Sequence, residues 1–270
     1  MVSIIMPARG EPFLRPTLEN LASQATGEYE IIVGLDGYEP GPMPVISERI
    51  TYYHEHKPIG MRAMINKLSQ LAKGEYLLKI DAHCIVSKGF DEELSASCEH
   101  EWIMIPRQYS LDGESFTRNP KRKHVDYWYM TAPVLTDEHK SLSTKRWYER
   151  RNDLVIDDTM SFQGSFWFMR KAEFIPYNVI DYGSWAMEAV ELGNKFRLRG
   201  GRVVVNKKIW YAHLFKGKKY RRKFPISKST IYKSVDSAYK HWMVDNKEFM
   251  KRLVEKFNPP TWENFDWSQA

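Results

Sequence analysis

The first 83 residues alternate short, almost wholly apolar runs with stretches of helical periodicity, and this alternation restricts the fold more than any other feature. VSIIM (2–6) stops at Pro7, IIVGLDG (31–37) reaches an acid at Asp36, ITYYHEH (50–56) is more polar, and YLLKIDAH (76–83) again ends in polar residues. Between them, residues 14–25 carry leucines at helical spacing before Gly27. Residues 60–72 predict a helix with Met61, Met64, Ile65, Leu68 and Leu71 facing inward, ended by Gly74. Runs that are apolar on both faces belong to buried parallel strands, which helices must cover. The expected class is therefore α/β, a mostly parallel central sheet flanked by helices. Ligands in such folds gather beyond the carboxyl ends of the strands, so Arg9, Asp36 and Asp81 should meet at one edge.

The second half is less regular. WIMIPRQY and VDYWYM read as strands on either side of the polar segment DGESFTRNPKRKH, and a proline-rich connection, EPGPMP (39–44), reads as surface. SFQGSFWFMR predicts a buried strand interrupted by Gly164, and a helix over 185–198 should stop at Gly200 and Gly201. RVVVN then forms a strand ahead of KKIWYAHLF. The simplest partition is one domain over 1–215, followed by a basic loop and helical extension, 216–270, packed on it.

The 40 basic and 34 acidic side chains leave a formal charge of +6, which favours phosphate-bearing partners without choosing among a sugar nucleotide, a nucleic acid and a membrane. Cys84 and Cys98 are too few for a four-cysteine zinc site or a disulfide scaffold, and read as free thiols in a reducing compartment. No window approaches the ~20 apolar residues of a bilayer span, and the amino terminus lacks signal-peptide organisation. A cytoplasmic location is the expectation.

Asp81 and His83 stand one residue apart at a strand end, where alternate side chains share a side. A carboxylate with an imidazole suits manganese or another borderline divalent ion, although an Asp there can equally cap the following loop. Asp36 could bind a ligand or serve the turn at Gly37. Arg62 and Asn66 lie four residues apart on one helical face.

GEYLLKIDAHCIVSKGF (74–90) resembles the metal-binding Asp-x-Asp or Asp-x-His segment of the glycosyltransferase A fold, especially family 2 and the polypeptide N-acetylgalactosaminyltransferases. Trp185, Glu188, Glu191, Lys195, Gly200, Gly201 and His213 fall at the spacings of that family's second-half motifs, with His213 inside YAHLFK. The similarity spans roughly 2–90 and 160–216. It implies a glycosyltransferase A catalytic domain that binds Mn2+ (or Mg2+) through Asp81, His83 and His213. The donor would be a nucleotide-diphosphate sugar, UDP-linked by resemblance, and the acceptor a hydroxyl on a glycan, protein or small molecule.

By the same resemblance Pro7, Arg9 and Glu11 line the nucleoside side, and Asp36 accepts from the base. Arg62 would face the diphosphate with Asn66 beside it, while Trp185 and Tyr220 complete the donor site. Asp81 and Glu188 are the candidate catalytic acids, and Glu191 is expected to face out of its helix. Where family 2 often has Glu-Asp, this chain has Glu188-Ala189, which favours retention of configuration over inversion.

The run Lys216, Lys218, Lys219, Arg221, Arg222, Lys223 is either a solvated loop or a lid over the departing diphosphate. Two alternatives stay open. In one, the acceptor is hydroxymethylated DNA, with RNPKRKH (118–124) on phosphates and Trp128, Tyr129, Trp147 and Tyr148 stacking on a base. In the other, the chain is a non-catalytic nucleotide-sugar or DNA-binding module.

Overall fold

A computed structural model describes residues 1–38, 46–136, 140–217, 219–220 and 226–269 of the chain. EPGPMP, together with Lys218, Arg221, Arg222 and Lys223 of the basic run, lies outside the described residues.

The chain opens with β1 (Val2–Ala8), α1 (Leu14–Gln24), β2 (Tyr29–Asp36), β3 (Ile50–Glu55) and α2 (Met61–Leu71). Next come β4 (Tyr76–Ile80), β5 (Cys84–Val86), α3 (Phe90–Ser97) and β6 (Trp102–Asp112). Short strands follow: β7 (Thr117–Arg118), β8 (Trp128–Met130), β9 (Val134–Leu135), β10 (Lys140–Ser141), β11 (Thr144–Arg146) and β12 (Ile156–Asp158). The chain closes with β13 (Phe166–Arg170), α4 (Val179–Tyr182), α5 (Glu188–Leu198), β14 (Arg202–His213), α6 (Lys228–Tyr239) and α7 (Lys247–Phe257).

The sheet runs β12–β14–β6–β13–β4–β1–β2–β3. β4, β1, β2 and β3 are parallel, as their apolar runs predict. β13 enters antiparallel between β4 and β6, and β14 runs parallel to β6. The result is a mixed, mostly parallel sheet with helices on both faces.

Alternate side chains of β1 supply both faces. Ile4 and Met6 pack with Leu14, Leu18 and Leu21 of α1 and with Phe90 and Leu94 of α3. Ile5 turns the other way, to Met64, Ile65 and Leu68 of α2 and to Leu192 and Phe196 of α5. Each such enclosed side chain contributes about 1.5–3 kcal/mol. At Gly34 a Cβ would stand 2.4 Å from Met64 Sδ, so α2 sits on β2 at a separation that a side chain would push apart.

Two expectations invert here. Leu71 is 44% exposed, because Ala72, four residues after Leu68, takes the inward place at the end of α2. Glu191, expected on the outside of α5, is fully enclosed. The strand expected to run through His83 stops at Ile80, and β14 joins RVVVN to KKIWYAH in one bulged strand.

A third cluster joins Tyr127, Tyr129, Met130 and Trp147 to Tyr239, Trp242, Met243, Met250, Leu253 and Phe257 of the carboxy-terminal helices. A π-helical stretch over Lys240–Asp245 links α6 to α7 and buries Trp242 and Met243. Cys84 and Cys98 are free, buried thiols, and burial pushes Cys98 up to about 12. Among the described residues no helix is long and apolar enough to cross a membrane.

Candidate metal centre and active-site cavity

Two elements distant in sequence build the metal-ligand cluster. After Ile80 the chain leaves β4, and the Asp81 N–H donates to the Ser165 carbonyl at 2.9 Å. Residues 81–83 bend into β5. On the other side, β14 pairs with β6 through Asn206, slips register, and resumes pairing at Trp210 opposite Arg107. Such a bulge bends a strand and re-aims its side chains. Beyond it His213 pairs with Cys84, and the Leu214 N–H donates to the His83 carbonyl at 3.1 Å. The sheet therefore fixes His213 beside the Asp81–His83 bend.

Asp81, His83 and His213 each present one ligand atom, and all three atoms lie within 4.8 Å of one another. His213 Nε2 is 3.1 Å from His83 Nε2 and 3.4 Å from Asp81 Oδ2, and His83 Nε2 is 3.9 Å from the same oxygen. Adjacent ligands held at about 2.1 Å from a metal lie roughly 3.0–3.5 Å apart, so the cluster fits a divalent ion after a small contraction. Burial lowers His213 to about 4, against the opposing pull of Asp81, so its imidazole is neutral, the ligating form, at physiological pH.

Burial alone would raise Asp81, but the Lys79 ammonium and the two histidines outweigh it and hold the carboxyl well below its usual range. Lys79 bonds Asp81 and the Gly164 carbonyl from beneath. On the far side of His83, Nδ1 meets Glu11 Oε2 at 2.9 Å, which aims Nε2 at the cluster. Glu11 also holds Lys216. Burial opposes its ionisation, yet His83 and Lys216 keep the carboxyl below its usual range. In Glu11→Gln the orienting charge disappears while the shape stays, and Mn2+ affinity measured by calorimetry should fall about 10–100-fold.

The cluster opens into a cavity of about 530 Å3 whose walls bring together Pro7, Arg9, Glu11, Asp36, Asp81, His83, Trp185, Glu188 and His213. The three strand-edge residues Arg9, Asp36 and Asp81 thus converge in space. Asp36 accepts from the backbone N–H groups of Ile59 (2.7 Å) and Gly60 (3.1 Å), so its carboxylate already organises the turn into α2. At Gly60, with φ +87°, a Cβ would lie 2.4 Å from the Ser184 Cβ, so the two cavity walls touch at a point open only to glycine.

Glu188 sits at the cavity wall, nine-tenths enclosed. Burial raises its carboxyl above the usual range and Arg62 offsets this in part. Its Oε1 is 3.8 Å from Arg62 Nε, beyond hydrogen-bond reach, and has no hydrogen-bond partner among the described residues. The preceding Ala186 and Met187 have φ of 80° and 61°, a left-handed pair outside glycine. Strain of this kind costs about 1–3 kcal/mol per residue and requires firm surroundings. The Ala186 carbonyl supplies them, accepting from Arg62 and, at 2.8 Å, from Ser234 Oγ of α6.

Several expected site residues lie elsewhere. Arg62 does not face the cavity: it is fully buried, bonded to Glu191 and to the Ala186 carbonyl. An inward Glu191 explains this, because a buried carboxylate needs a cation and Arg62 is within its reach. Asn66 does not line the cavity either, since its amide clamps the backbone of Tyr177 at 2.9 and 2.8 Å. Tyr220 packs edge-on against Phe13, ring centres 5.6 Å apart, and lines a neighbouring groove instead. Of the four aromatics expected to stack on a base, Trp128, Tyr129 and Trp147 are buried in the core, which removes that platform.

The cavity also contains residues that the sequence pattern did not single out, chiefly Lys79, Gln163, Ser165 and Phe215. A lysine two places before Asp81 in an otherwise apolar strand was the available signal, because i and i+2 share a face.

The chain is 26% identical over 181 residues to a probable N-acetylgalactosaminyltransferase 8 of Caenorhabditis elegans, covering 65% of this chain and 42% of that protein. It thus spans less than half the length of that relative. The fold is similar to that of GalNAc-T7, solved with UDP, GalNAc and Mn2+, with a TM-score of 0.65 and 15% identity over 96% of this chain and 54% of the other. It is also similar to Staphylococcus aureus TarS 1–349 in complex with UDP-GlcNAc, with a TM-score of 0.55 and 13% identity over 99% of this chain and 68% of the other. The model of glycosyl transferase family 2 matches residues 3–177, well over half of the chain and the whole Asp81–His83 side of the cavity, and the chain belongs to that family.

Proposed function

We propose that the chain transfers a sugar from a UDP-sugar to an acceptor hydroxyl, with a divalent metal, Mn2+ or Mg2+, held by Asp81, His83 and His213. The observation that carries this is the Asp–His–His cluster at the wall of a cavity large enough for a nucleotide sugar. The GalNAc-T7 and TarS complexes, of the same fold, hold UDP or a UDP-sugar. A divalent ion in such a site offsets the charge that builds on the departing diphosphate.

The chain's own residues divide the remaining work. Pro7, Arg9 and Asp36 flank the end of the cavity suited to the nucleoside, and Trp185 and Glu188 the end suited to the sugar. Glu188, at the cavity wall, accepts from a sugar hydroxyl in this reading. Configuration is retained in this reading. Of the cavity carboxylates, Glu11, Asp36 and Asp81 are committed to partners, and the position after Glu188 is Ala189, turned into the core. Among the described residues of the cavity no carboxylate besides Glu188 is left uncommitted, and in this reading the leaving phosphate takes the acceptor's proton.

The test is a panel of UDP- and GDP-sugars with Mn2+, read by released nucleotide and by the anomeric proton couplings of the product. UDP-sugar turnover that stops on chelation, with a retained anomer, is expected. Preference for GDP-sugars, or an inverted product, would overturn the corresponding part.

A further inference from the structure

A second groove, of about 370 Å3, lies beside the main cavity and shares Leu214 and Phe215 with it. Its walls include Asn119, Arg122, Arg146, Lys219 and Tyr220. The acids in it are engaged. Asp112 Oδ1 accepts from the N–H groups of Glu114 and Ser115 at 3.0 Å, and Glu114 holds Lys219. Among the described residues neither Arg122 nor Arg146 has a carboxylate partner. Two guanidinium groups thus line a concave site without a carboxylate partner of their own.

Arg146 is also pre-positioned. Strand β11 pairs it with Trp128, and its guanidinium lies over the Phe215 ring at 4.4 Å. The same ring meets His213 edge-on, centres 4.7 Å apart. A single aromatic ring thus separates Arg146 from the metal-ligand cluster. A stacked guanidinium keeps its in-plane N–H groups free and matches phosphate bidentately.

We infer that this groove is the acceptor subsite, and that it selects an alcohol bearing a phosphate, with the phosphate on Arg146 and Arg122 and a nearby hydroxyl passing Phe215 into the main cavity. The inference rests on the sugar-transfer reading above. In the reaction the acceptor oxygen bonds to the anomeric carbon as the bond from that carbon to the diphosphate oxygen breaks. The electron pair leaves with UDP, and the hydroxyl proton passes to the diphosphate. Arg118, Lys121 and Lys123, neighbours in sequence of the groove residues Asn119 and Arg122, are exposed, so repeated phosphates along a glycan or polyol chain suit this surface. Trp128, Tyr129 and Trp147 are buried and cannot stack on a base, so in this groove a nucleic acid would have Phe215 and Tyr220 to stack on rather than the aromatics beside the basic segments.

The experiment uses the whole chain saturated with UDP and Mg2+, with binding read by saturation-transfer NMR. The probes are glycerol, glycerol 3-phosphate, a phosphodiester-linked glycerol phosphate trimer and a hydroxymethylcytosine oligonucleotide. Glycerol 3-phosphate and the trimer should bind, glycerol should not, and Arg146→Gln should weaken both about tenfold or more. Arg122→Glu, at an exposed position that does not threaten folding, should do the same. Equal binding of glycerol and its phosphate, or indifference to both substitutions, would overturn the inference and leave the donor reading standing. Oligonucleotide binding stronger than the trimer's would also overturn it. Failure of the wild-type chain to bind UDP with Mg2+ would instead remove the donor reading, and this one with it.

Discussion

Replacing Asp81 with asparagine should weaken Mn2+ binding at least about a hundredfold and lower sugar-donor turnover about a thousandfold, with the fold retained. Asp81 is the only charged ligand in a cluster whose other members are imidazoles. Its partner Lys79 keeps the Gly164 carbonyl, and asparagine still offers an oxygen, so the buried ammonium is not stranded. His213→Ala should give a comparable loss through a different ligand. Metal binding is followed by Mn2+ electron paramagnetic resonance and the fold by near-UV circular dichroism. Undiminished turnover in both variants would remove the metal assignment.

The charges around the site add a second expectation to that experiment. Lys79 and Lys216 stand against Asp81 and Glu11, so the immediate surroundings of the two histidines are close to neutral. A divalent cation gains little there by itself, and a diphosphate gains little without the cation. Each supplies the charge the other lacks, so UDP should tighten Mn2+ binding and Mn2+ should tighten UDP binding by the same factor. About tenfold or more is expected for wild type. Asp81→Asn should abolish the coupling, which separates a lost metal site from a merely distorted one.

The sheet was legible because β1, β2 and β4 are apolar on both faces, although β1 continues through Pro7 to Ala8 instead of stopping at the proline. That pattern alone brought Arg9, Asp36 and Asp81 to one edge. It could not bring His213 there. That approach depends on a bulge in β14 between Asn206 and Trp210 and on pairing with β5, contacts about 130 residues apart that leave no periodic signal. Only the family-like spacing around YAHLFK pointed to it. Charge misled in the interior for a related reason. Arg62 read as a diphosphate contact and Glu191 as a surface residue, yet they neutralise one another across 129 positions and can therefore be buried together. Aromatic residues misled in the opposite direction. Trp128, Tyr129 and Trp147 beside basic segments suggested a binding face, whereas the carboxy-terminal helices cover Tyr129 and Trp147 as core.

Arg62→Met is expected to cost about 3–5 kcal/mol, the loss typical of a buried ion pair deprived of one partner. At roughly 2–4 °C per kcal/mol for a chain of this size, Tm should drop by about 10 °C. Among the described residues Glu191 would keep Lys195 and the Asn178 N–H at 2.8 Å, and Glu188 would lose the Arg62 guanidinium. The exposed Arg15–Glu19 pair is the contrast: Arg15→Ala should change stability by less than about 1 kcal/mol. The double variant Arg62→Met with Glu191→Met removes the stranded charge, and most of the stability should return. Activity should not return with it. Arg62 also binds the Ala186 carbonyl, and through it secures the left-handed Ala186–Met187 step that sets Trp185 and Glu188 at the cavity wall. Restored Tm with kcat still depressed would separate the guanidinium's positioning of the sugar end from its share of stability. Full recovery of both would show that only charge balance mattered, and an unchanged Tm in the single variant would overturn the buried-pair account.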